Sequence, residues 1–386
     1  MKKSILILLS AVFCAVLSAQ LPDKPLLKVF DAAYRKTPLE NVLFSPWGIQ
    51  ECFGMVYAGA GEKAADELDK FLGINGQLAP DLRQAREFFT QDNAKFNSFN
   101  AVIFDRKYSL QDKFISTVGN QYNGKLYLAD FKRSAEVADT LNNIVKKESS
   151  GMFDKVFDEN MLAGDPAVIL MNVLYFKGAW ALPFEKYATQ KENFDTPSAS
   201  NMVDMMNSER HLPYYNDGKI HGIILNYKNS SFKMLVLTAV DKTLPLSAVT
   251  GALAEKGITH FVTNSSSRNE TVIKLPKLKV ESKLDLKKLF VPLGMEVLFN
   301  SNAGDLTGMV KNSTLYIDEA EQLVKLNLDE AGSEVAAVTY AMAKMLAAPP
   351  MEKKQNHFYA DHPFVLVLFD SKSNAILLAA AIINPS

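Results

Sequence analysis

Six short segments rich in Val, Ile, Leu and Phe constrain the fold of this chain more than any other feature of its sequence. Each is bounded by polar or turn-forming residues, as β-strands are. Several lack the alternation of apolar and polar residues that a half-exposed strand shows, so we expect strands that are buried on both faces. The predicted strands cover residues 101–104, 167–176, 232–240, 271–275, 324–328 and 364–369.

Helical spacing appears between these strands. Apolar residues recur at i, i+3, i+4 and i+7 from Ile49 to Val56, behind Ser45, which can cap a helix, and Pro46, which suits a first turn. This pattern predicts a helix over residues 46–58. The same spacing occurs in a second segment of the chain.

That second helix is predicted to start near Val137 and to stop at a glycine cap, Gly151. No linker rich in Pro, Gly or Ser, no block of like charge and no repeat divides the chain. We therefore predict a mixed α+β fold in a single domain over residues 20–386, which follows the targeting segment described next.

The first residues have the pattern of a secretory signal. Lys2 and Lys3 precede an apolar run over residues 4–17, and small residues up to Ala19 precede a polar stretch. We predict a signal peptide at residues 1–19 and a secreted or extracytoplasmic protein, periplasmic or extracellular. A membrane anchor is the alternative, but the run is shorter than the roughly 20 apolar residues that a span needs.

The composition excludes several classes of partner. Hydrophobic residues make up 48% of the chain, charged residues 22%, and the formal net charge is −1, which is typical of an ordinary globular protein. No global basic field exists for nucleic acid or an anionic membrane, so we expect neither as a partner. Two cysteines, Cys14 and Cys52, are too few for a disulfide framework or a zinc site built on thiolates.

Motifs of catalysis and cofactor binding are weak. A Gly-x-Gly-x-x-Ala pattern runs from Gly59 to Ala64, but it follows a predicted helix instead of a strand, so we expect its glycines to turn the chain. His357 and His362 form the closest histidine pair, and no hydrolase or metal motif accompanies them. We therefore expect no metal and no cofactor. Dispersed Ser, His and Asp residues that converge in space leave a hydrolase as an alternative.

The segment from Glu330 to Pro350 alternates with period two. Every second residue is small or β-branched and uncharged, which predicts a strand able to bury that face. The segment lies between Gly332 and two prolines, as an exposed loop offered to a partner would; a strand or linker already in place is the alternative. The small face comprises Ser333, Val335, Ala337, Thr339, Ala341 and Ala343, and the other face Glu334, Ala336, Val338, Tyr340, Met342 and Lys344.

Through these residues and a series of motifs, the sequence from about Leu27 to Pro385 resembles the serpin family. The order and spacing of the motifs carry the resemblance, since no single motif would decide it. They are Asn-Val-Leu-Phe-Ser-Pro at 41–46, Asn-Val-Leu-Tyr-Phe-Lys-Gly-Ala-Trp at 172–180, Leu-Pro-Lys at 275–277, Asp-Leu at 285–286, Leu-Gly-Met at 293–295, Phe299, Phe-Tyr-Ala-Asp-His-Pro-Phe at 358–364 and Ala-Ile-Leu at 375–377.

The resemblance implies a metastable fold with a large central sheet and an exposed reactive loop at about residues 330–356. A serine protease cleaves such a loop as a substrate, and the freed segment then inserts into the sheet and traps the acyl-enzyme. The hinge that matches inhibitory members comprises Glu330, Gly332, Ser333, Glu334, Val335, Ala336, Ala337, Val338 and Thr339. Val335 and Val338 replace the usual alanines, but valine suits a strand, so we expect insertion to survive.

The usual loop length of the family places the cleaved bond at Leu346–Ala347, and Pro349 and Pro350 support this register. A leucine just before the cleaved bond favours a chymotrypsin-like, elastase-like or cathepsin G-like target. A subtilisin-like protease is a further candidate. Cleavage after Met345 or Lys344 is the alternative, and Lys344 would suit a trypsin-like protease.

The resemblance also implies two control regions in the sheet. In the shutter beneath it, Ser45 and Asn172 match the family, whereas Gly48 replaces a serine and Gln322 replaces a histidine. At the top of the sheet, the resemblance implies that Trp180 borders the point of loop entry and that Lys277 pairs with Glu330.

We expect a secreted, monomeric inhibitor of serine proteases that is not an enzyme. The small residues of the hinge favour inhibition. A non-inhibitory serpin that acts as a binding or chaperone module is the alternative, and Val335 mildly favours it.

Overall fold

The structure is a computed structural model that describes residues 21, 23–90, 94–151, 153–162, 164, 166–333 and 355–385. The predicted signal peptide at residues 1–19, the hinge from Glu334 to Thr339 and the predicted bond Leu346–Ala347 lie outside the described residues.

Helices and strands are mixed along the described chain, as expected for an α+β fold. The helices are Lys24–Lys36 (α1), Pro46–Tyr57 (α2), Glu62–Leu72 (α3), Leu78–Thr90 (α4), Asp112–Tyr122 (α5), Ser134–Glu148 (α6), Glu159–Leu162 (α7), Leu246–Lys256 (α8), Ile258–Thr263 (α9) and Leu286–Phe290 (α10). The strands are Val42–Phe44 (β1), Lys95–Asp105 (β2), Lys125–Ala129 (β3), Val168–Ala179 (β4), Gln190–Asp195 (β5), Ser200–His211 (β6), Tyr214–Asn216 (β7), Ile220–Asn226 (β8), Phe232–Ala239 (β9), Glu270–Pro276 (β10), Leu278–Asp285 (β11), Glu319–Asp329 (β12), Gly332–Ser333 (β13), Asn356–Tyr359 (β14), Phe364–Asp370 (β15) and Ile376–Ile382 (β16).

The described strands form three sheets. The central sheet has the order β11-β12-β13-β4-β2-β3, a second has β1-β16-β15-β9-β8-β7, and a third has β14-β10-β6-β5. In the central sheet β12 runs parallel to β4, whereas β2 and β13 run antiparallel to it. The sheet therefore carries its hinge segment in the middle and not at an edge.

Both faces of the central sheet are buried at β4 and in the second half of β2, which explains why these segments lack simple alternation. One face packs into the main core of the molecule, to which Leu170 and Val324 contribute. On the other face, α6 covers Ile169 and Leu323 with a second apolar cluster that includes Leu141. Four of the six predicted strands fall inside observed strands of the three sheets, and the predictions 167–176 and 232–240 exceed β4 and β9 by one residue each.

The two predicted helices are also present, and α2 begins at Pro46 with the Ser45 side chain as its cap. The predicted end of the second helix at Gly151 is wrong. The helix stops at Glu148, because Ser150 and Gly151 take positive φ angles of 54° and 83°. The Gly151 N–H then turns back to the carbonyl of Lys146, 2.8 Å away.

The Gly-x-Gly-x-x-Ala pattern forms the turn between α2 and α3, as expected. The start of α3 is occupied by the chain itself: the Asp305 carboxylate accepts the N–H groups of Lys63 and Ala64 at 2.9 and 3.3 Å. A Cβ at Gly61 would lie 2.1 Å from that carboxylate. The glycine therefore makes room for a capping side chain, and no phosphate is needed at this helix end.

Candidate functional site

The candidate site is the gap between β12 and β4 at the top of the central sheet. The two strands pair directly only where Glu319–Val324 lies beside Ile169–Leu174. Beyond that point β13 lies between them, with Ser333 opposite Leu328 on one side and Gly178 on the other. The chain that follows β12 thus occupies the first two positions of a new strand within the sheet.

A tight turn brings the chain from β12 back into this gap. The Asp329 carboxylate accepts the N–H groups of Ala331 and Gly332 at 2.8 and 3.2 Å. Gly332 has a φ of 151°, and a Cβ there would lie 2.1 Å from the carbonyl oxygen of Gly178. Only glycine allows so close an approach of the two backbones.

Trp180 holds both ends of this turn. Its indole N–H donates to the Asp329 carbonyl at 3.0 Å, and its backbone N–H donates to the Ala331 carbonyl at 2.9 Å. The indole stacks on Tyr227 with ring centroids 4.5 Å apart. The Tyr227 and Ser333 hydroxyls are 2.6 Å apart in the core, where burial raises the pKa of Tyr227 and keeps it neutral.

Lys277 and Glu330 form an ion pair beside the turn, with Nζ and Oε2 3.1 Å apart. Thr189 donates its hydroxyl to the same carboxylate at 2.8 Å, and the Glu330 carbonyl accepts the Phe184 N–H at 2.8 Å. Burial favours the neutral acid, but hydrogen bonds from the backbone, Thr189 and Lys277 outweigh it, so the pKa of Glu330 lies below its ordinary value. The carboxylate is therefore ionised at neutral pH.

Lower in the sheet, Gln322 of β12 connects the strands to α2. Its amide oxygen accepts the Ser45 N–H at 2.7 Å, and its amide nitrogen donates to the Ser45 carbonyl at 3.0 Å and to Asn172 Oδ1 at 3.2 Å. The Ser45 hydroxyl donates to the Leu377 carbonyl at 2.6 Å and accepts the Gly48 N–H at 2.9 Å. We call these residues, with Asn172, the shutter network.

The network continues to residues that the sequence analysis missed. Asn172 donates to Asn100 Oδ1 at 2.8 Å, and Asn100 donates to Glu51 at 2.7 Å. Glu51 in turn pairs with Arg86 at 2.7 Å. The signal in the sequence was a carboxylate on the predicted α2, between the apolar Ile49 and Phe53.

Gly48 and Asn172 are sterically coupled. A Cβ at Gly48 would lie 2.1 Å from Asn172 Oδ1, the atom that accepts the bond from Gln322. A serine at position 48 therefore does not fit beside Asn172 in this arrangement. The two departures from the family pattern, Gly48 and Gln322, belong to one altered but connected network.

One cluster has the order of a catalytic triad but not its function. Thr238 Oγ1 lies 2.9 Å from His362 Nε2, and His362 Nδ1 lies 2.9 Å from Asp361. The Thr238 hydroxyl donates to the Pro363 carbonyl and is fully buried, so a substrate does not reach it. Burial also raises the pKa of Cys52 to about 12, which makes it a poor nucleophile.

A sequence profile of the serpin family, described as serine protease inhibitors, matches residues 26–385. The chain belongs to the serpin family. Members of this family are protease inhibitors and generally not enzymes.

Relatives match over most of their length. The chain is 27% identical to the leukocyte elastase inhibitor of Bos taurus over 90% of this chain and 94% of that protein. It is 26% identical to plasminogen activator inhibitor 1 of Sus scrofa, over 96% and 93% of the two chains. A serpin-like protein of Thermococcus kodakarensis is 28% identical over 89% of this chain and 81% of its own.

A solved structure confirms the serpin fold. Native protease nexin-1, crystallised with heparin, superposes with a TM-score of 0.84 at 22% identity, over 95% of this chain and 98% of that chain. Within the described residues, no helix is long and apolar enough to cross a membrane. The same ranges hold no group of three or more His, Cys, Asp or Glu side chains placed to bind a metal ion.

The structure thus brings together Trp180, Lys277, Glu330 and Ser333 at the top of the sheet, and Ser45, Gly48, Asn172 and Gln322 below it. The assignments of Glu334, Val335, Ala336, Ala337, Val338, Thr339, Leu346 and Ala347 lie outside the described residues and stay predictions.

Acid should loosen the top of this sheet in this serpin. Because the pKa of Glu330 is lower in the folded protein, its ionisation stabilises the fold above the ordinary pKa of glutamate, about 4.3. That contribution is lost as the pH falls through the lowered pKa. The protection factors of the Gly332 and Ser333 amides, which compare exchange with the intrinsic rate at each pH, should therefore fall on acidification, and Glu330→Gln should remove this step. An identical acid step in the variant would contradict the role given to Glu330.

The shutter network should contribute directly to stability. Gln322→Leu leaves the buried N–H and carbonyl of Ser45 without their side-chain partner, which should lower the free energy of unfolding by about 1–3 kcal/mol. Urea unfolding followed by circular dichroism measures the loss. Gln121→Leu is the matched control, because Gln121 is exposed on α5. Equal stability of the two variants would show that Gln322 contributes little.

Proposed function

We propose that this serpin is a secreted inhibitor that traps its target protease by inserting its cleaved loop between β12 and β4. The observation that carries the proposal is β13, which already occupies the top of this gap. Cleavage in the loop would free the chain that follows Ser333, and β13 would serve as the start of a longer strand.

The register of β13 predicts where the following residues would go. Ser333 lies opposite Leu328 and Gly178 in antiparallel pairing. If that register continues, Ala337 would lie between Val324 and Leu174. Since these two residues now pair with each other, insertion has to separate β12 from β4 along Glu319–Val324. Thr339 would then reach the shutter network, between Gln322 and Asn172.

The same register sorts the loop residues by face. Ser333 faces the main core, where it contacts Tyr227, so the residues at two-residue steps beyond it would face the core as well. These are the small neutral residues Val335, Ala337, Thr339, Ala341 and Ala343. Burial of a charge there would cost several kcal/mol, so a neutral face permits rapid insertion.

The opposite face would meet α6, and it tolerates a charge near the top. Glu334 would lie between Asn327 of β12 and Lys177 of β4, a partner of opposite charge. At the far end, Ala343 would lie beside Val168, the first residue of β4. Leu346 would then emerge at the bottom of the sheet, and a protease attached there would be carried across the length of the molecule.

Leu346 supports a chymotrypsin-like, elastase-like, cathepsin G-like or subtilisin-like target, because it would fill an apolar primary pocket. Cleavage after Met345 or Lys344 is the competing register, and Lys344 would suit a trypsin-like protease. The apolar run and small residues before Ala19 support export to the periplasm or the extracellular space, and we propose a monomer, since one chain contains the whole trap.

The direct test is incubation of the mature protein with chymotrypsin, neutrophil elastase, cathepsin G, subtilisin and trypsin. We expect a complex that survives denaturing electrophoresis. We also expect a released peptide whose mass shows that it begins at Ala347. A peptide that begins at Met345 or Leu346 would place the cleaved bond after Lys344 or Met345 instead. Cleavage by every protease without any complex would contradict the trap.

That last outcome would favour the alternative function, a non-inhibitory binding or chaperone module. One observation supports it. In the register of β13, Val335 would lie between Leu326 and Phe176, both buried in the main core. A valine is larger than the usual alanine at this crowded position and would slow insertion if the core did not adjust.

A charge on the core-facing side of the inserting segment should distinguish trapping of the protease from simple cleavage of the loop. Ala337→Arg would place a guanidinium on the core-facing side of the inserted strand, between Val324 and Leu174, so cleavage should continue while the stable complex disappears. Met351→Arg is the matched control, because it adds the same charge to the loop beyond the predicted bond, outside the inserting segment. Densitometry of complex against cleaved monomer measures the partition. Undiminished complex formation by Ala337→Arg would contradict the insertion register.

A further inference from the structure

The hydrogen bonds that run through the shutter network end at a buried carboxylate on α2. Glu51 Oε1 accepts from Nε and Nη2 of Arg86, in α4, at 2.9 and 2.7 Å, and its Oε2 accepts from the Asn100 amide at 2.7 Å. Both Glu51 and Asn100 are buried. A carboxylate paired with a guanidinium only accepts hydrogen bonds, so Asn100 has to present a donor to it.

This requirement fixes the orientation of the asparagine side chains that follow. The oxygen and nitrogen of an amide have nearly the same shape, so their hydrogen-bond partners decide which of them faces which way. Because Nδ2 of Asn100 faces Glu51, its Oδ1 accepts from Nδ2 of Asn172 at 2.8 Å. Oδ1 of Asn172 then accepts from Gln322 at 3.2 Å. The Ser98 hydroxyl, 3.2 and 3.4 Å from the two asparagine Nδ2 atoms, selects no orientation because it can donate and accept.

The other end of this series of amides is fixed by the backbone of Ser45. The Ser45 N–H donates to Oε1 of Gln322 at 2.7 Å, and the Ser45 carbonyl accepts from Nε2 at 3.0 Å. Gln322 therefore presents Nε2 to Asn172 independently of Glu51. The two ends agree only while residue 51 offers an acceptor to Asn100.

We propose that Glu51, held by Arg86, is a positioning residue for the contact between β12 and β4. Its carboxylate sets the direction of both asparagine amides, and the last bond of the series joins β12 to β4 within their contact. Arg86 also donates to the carbonyls of Gln121 and Tyr122 at 3.1 and 2.8 Å, which ties the end of α5 to the same ion pair. The orientation of the amides does not depend on protease inhibition, whereas its bearing on loop insertion rests on the proposed function.

A glutamine at position 51 would break the agreement between the two ends. It has a single side-chain oxygen, which the Arg86 guanidinium would attract, so its NH2 group would face Asn100. Asn100 and then Asn172 would turn to follow. The NH2 group of Asn172 would then meet Nε2 of Gln322, and two donors facing each other within the β12–β4 contact would lose that hydrogen bond.

Amide hydrogen exchange of the intact protein, with no protease present, tests the proposal. In Glu51→Gln the segment Glu319–Val324 should exchange about tenfold faster than in wild type, as expected for one lost buried hydrogen bond. Glu136→Gln is the matched control, because it neutralises the partner of Arg133 in an exposed ion pair on α6. The control should exchange like wild type in this segment.

The double variant Glu51→Gln with Arg86→Met separates positioning from a merely structural role. Without the guanidinium, the new side chain can turn its oxygen to Asn100 again, so exchange of Glu319–Val324 should become slower than in Glu51→Gln. A structural role predicts that removal of both partners leaves exchange at least as fast. Wild-type exchange in folded Glu51→Gln, or no recovery in the double variant, would overturn the proposal.

A spectrum of the wild-type protein tests the orientation even where Glu51→Gln does not fold. With isotope-labelled asparagine, the side chains of Asn100 and Asn172 should each give one set of slowly exchanging NH2 signals. Two sets from either side chain, or exchange as fast as at exposed asparagines, would show that the orientation is not fixed and would overturn the proposal. Because these tests use no protease, their failure is distinct from failure of the proposed inhibition.

Discussion

The short parallel contact between β12 and β4 is the interaction on which the rest of this structure depends. It joins the strands only at Glu319–Val324 and Ile169–Leu174. A strand inserted between them would replace one parallel ladder by two antiparallel ones, and each added backbone hydrogen bond contributes about 0.5–1.5 kcal/mol. In the proposed mechanism, the cleaved chain would therefore reach a more stable arrangement than the intact protein has.

Two groups of side chains hold this contact, one above it and one within it. At the top, Trp180 and the pair of Lys277 with Glu330 fix the turn that admits Ser333. Lower down, Gln322 of β12 binds Asn172 of β4 across the contact and ties both to Ser45 at the start of α2. Separation of β12 from β4 would break the hydrogen bond between Gln322 and Asn172.

Much of the fold could be predicted because its central strands are almost fully buried and mostly apolar, as in Val168–Ala179, where Asn172 and Lys177 are the exceptions. Strands that are partly exposed gave no such signal. Ser200–His211 is largely polar, and it forms a strand because it pairs with β5 and β10, which lie elsewhere in the chain. The end of α6 depended on positive φ angles at Ser150 and Gly151 that spacing alone does not reveal.

The site was predictable where the family pattern names a residue, as for Trp180, Lys277 and Glu330. It was not predictable where the family pattern names no residue. Tyr227 reaches Ser333 from 106 positions away, and Asn100 reaches Glu51 from 49 positions away. Gly48 likewise fits beside Asn172 only because glycine has no Cβ, and no local sequence pattern predicts that contact.

The most direct test of this account is the thermal unfolding of the protein before and after cleavage within the loop, with amide exchange measured on both forms. The account predicts that the cleaved form unfolds at a much higher temperature and that amides of residues 334–343 become protected. Equal unfolding temperatures and exposed amides in that segment would show that β12 and β4 do not accept a new strand, and would contradict it.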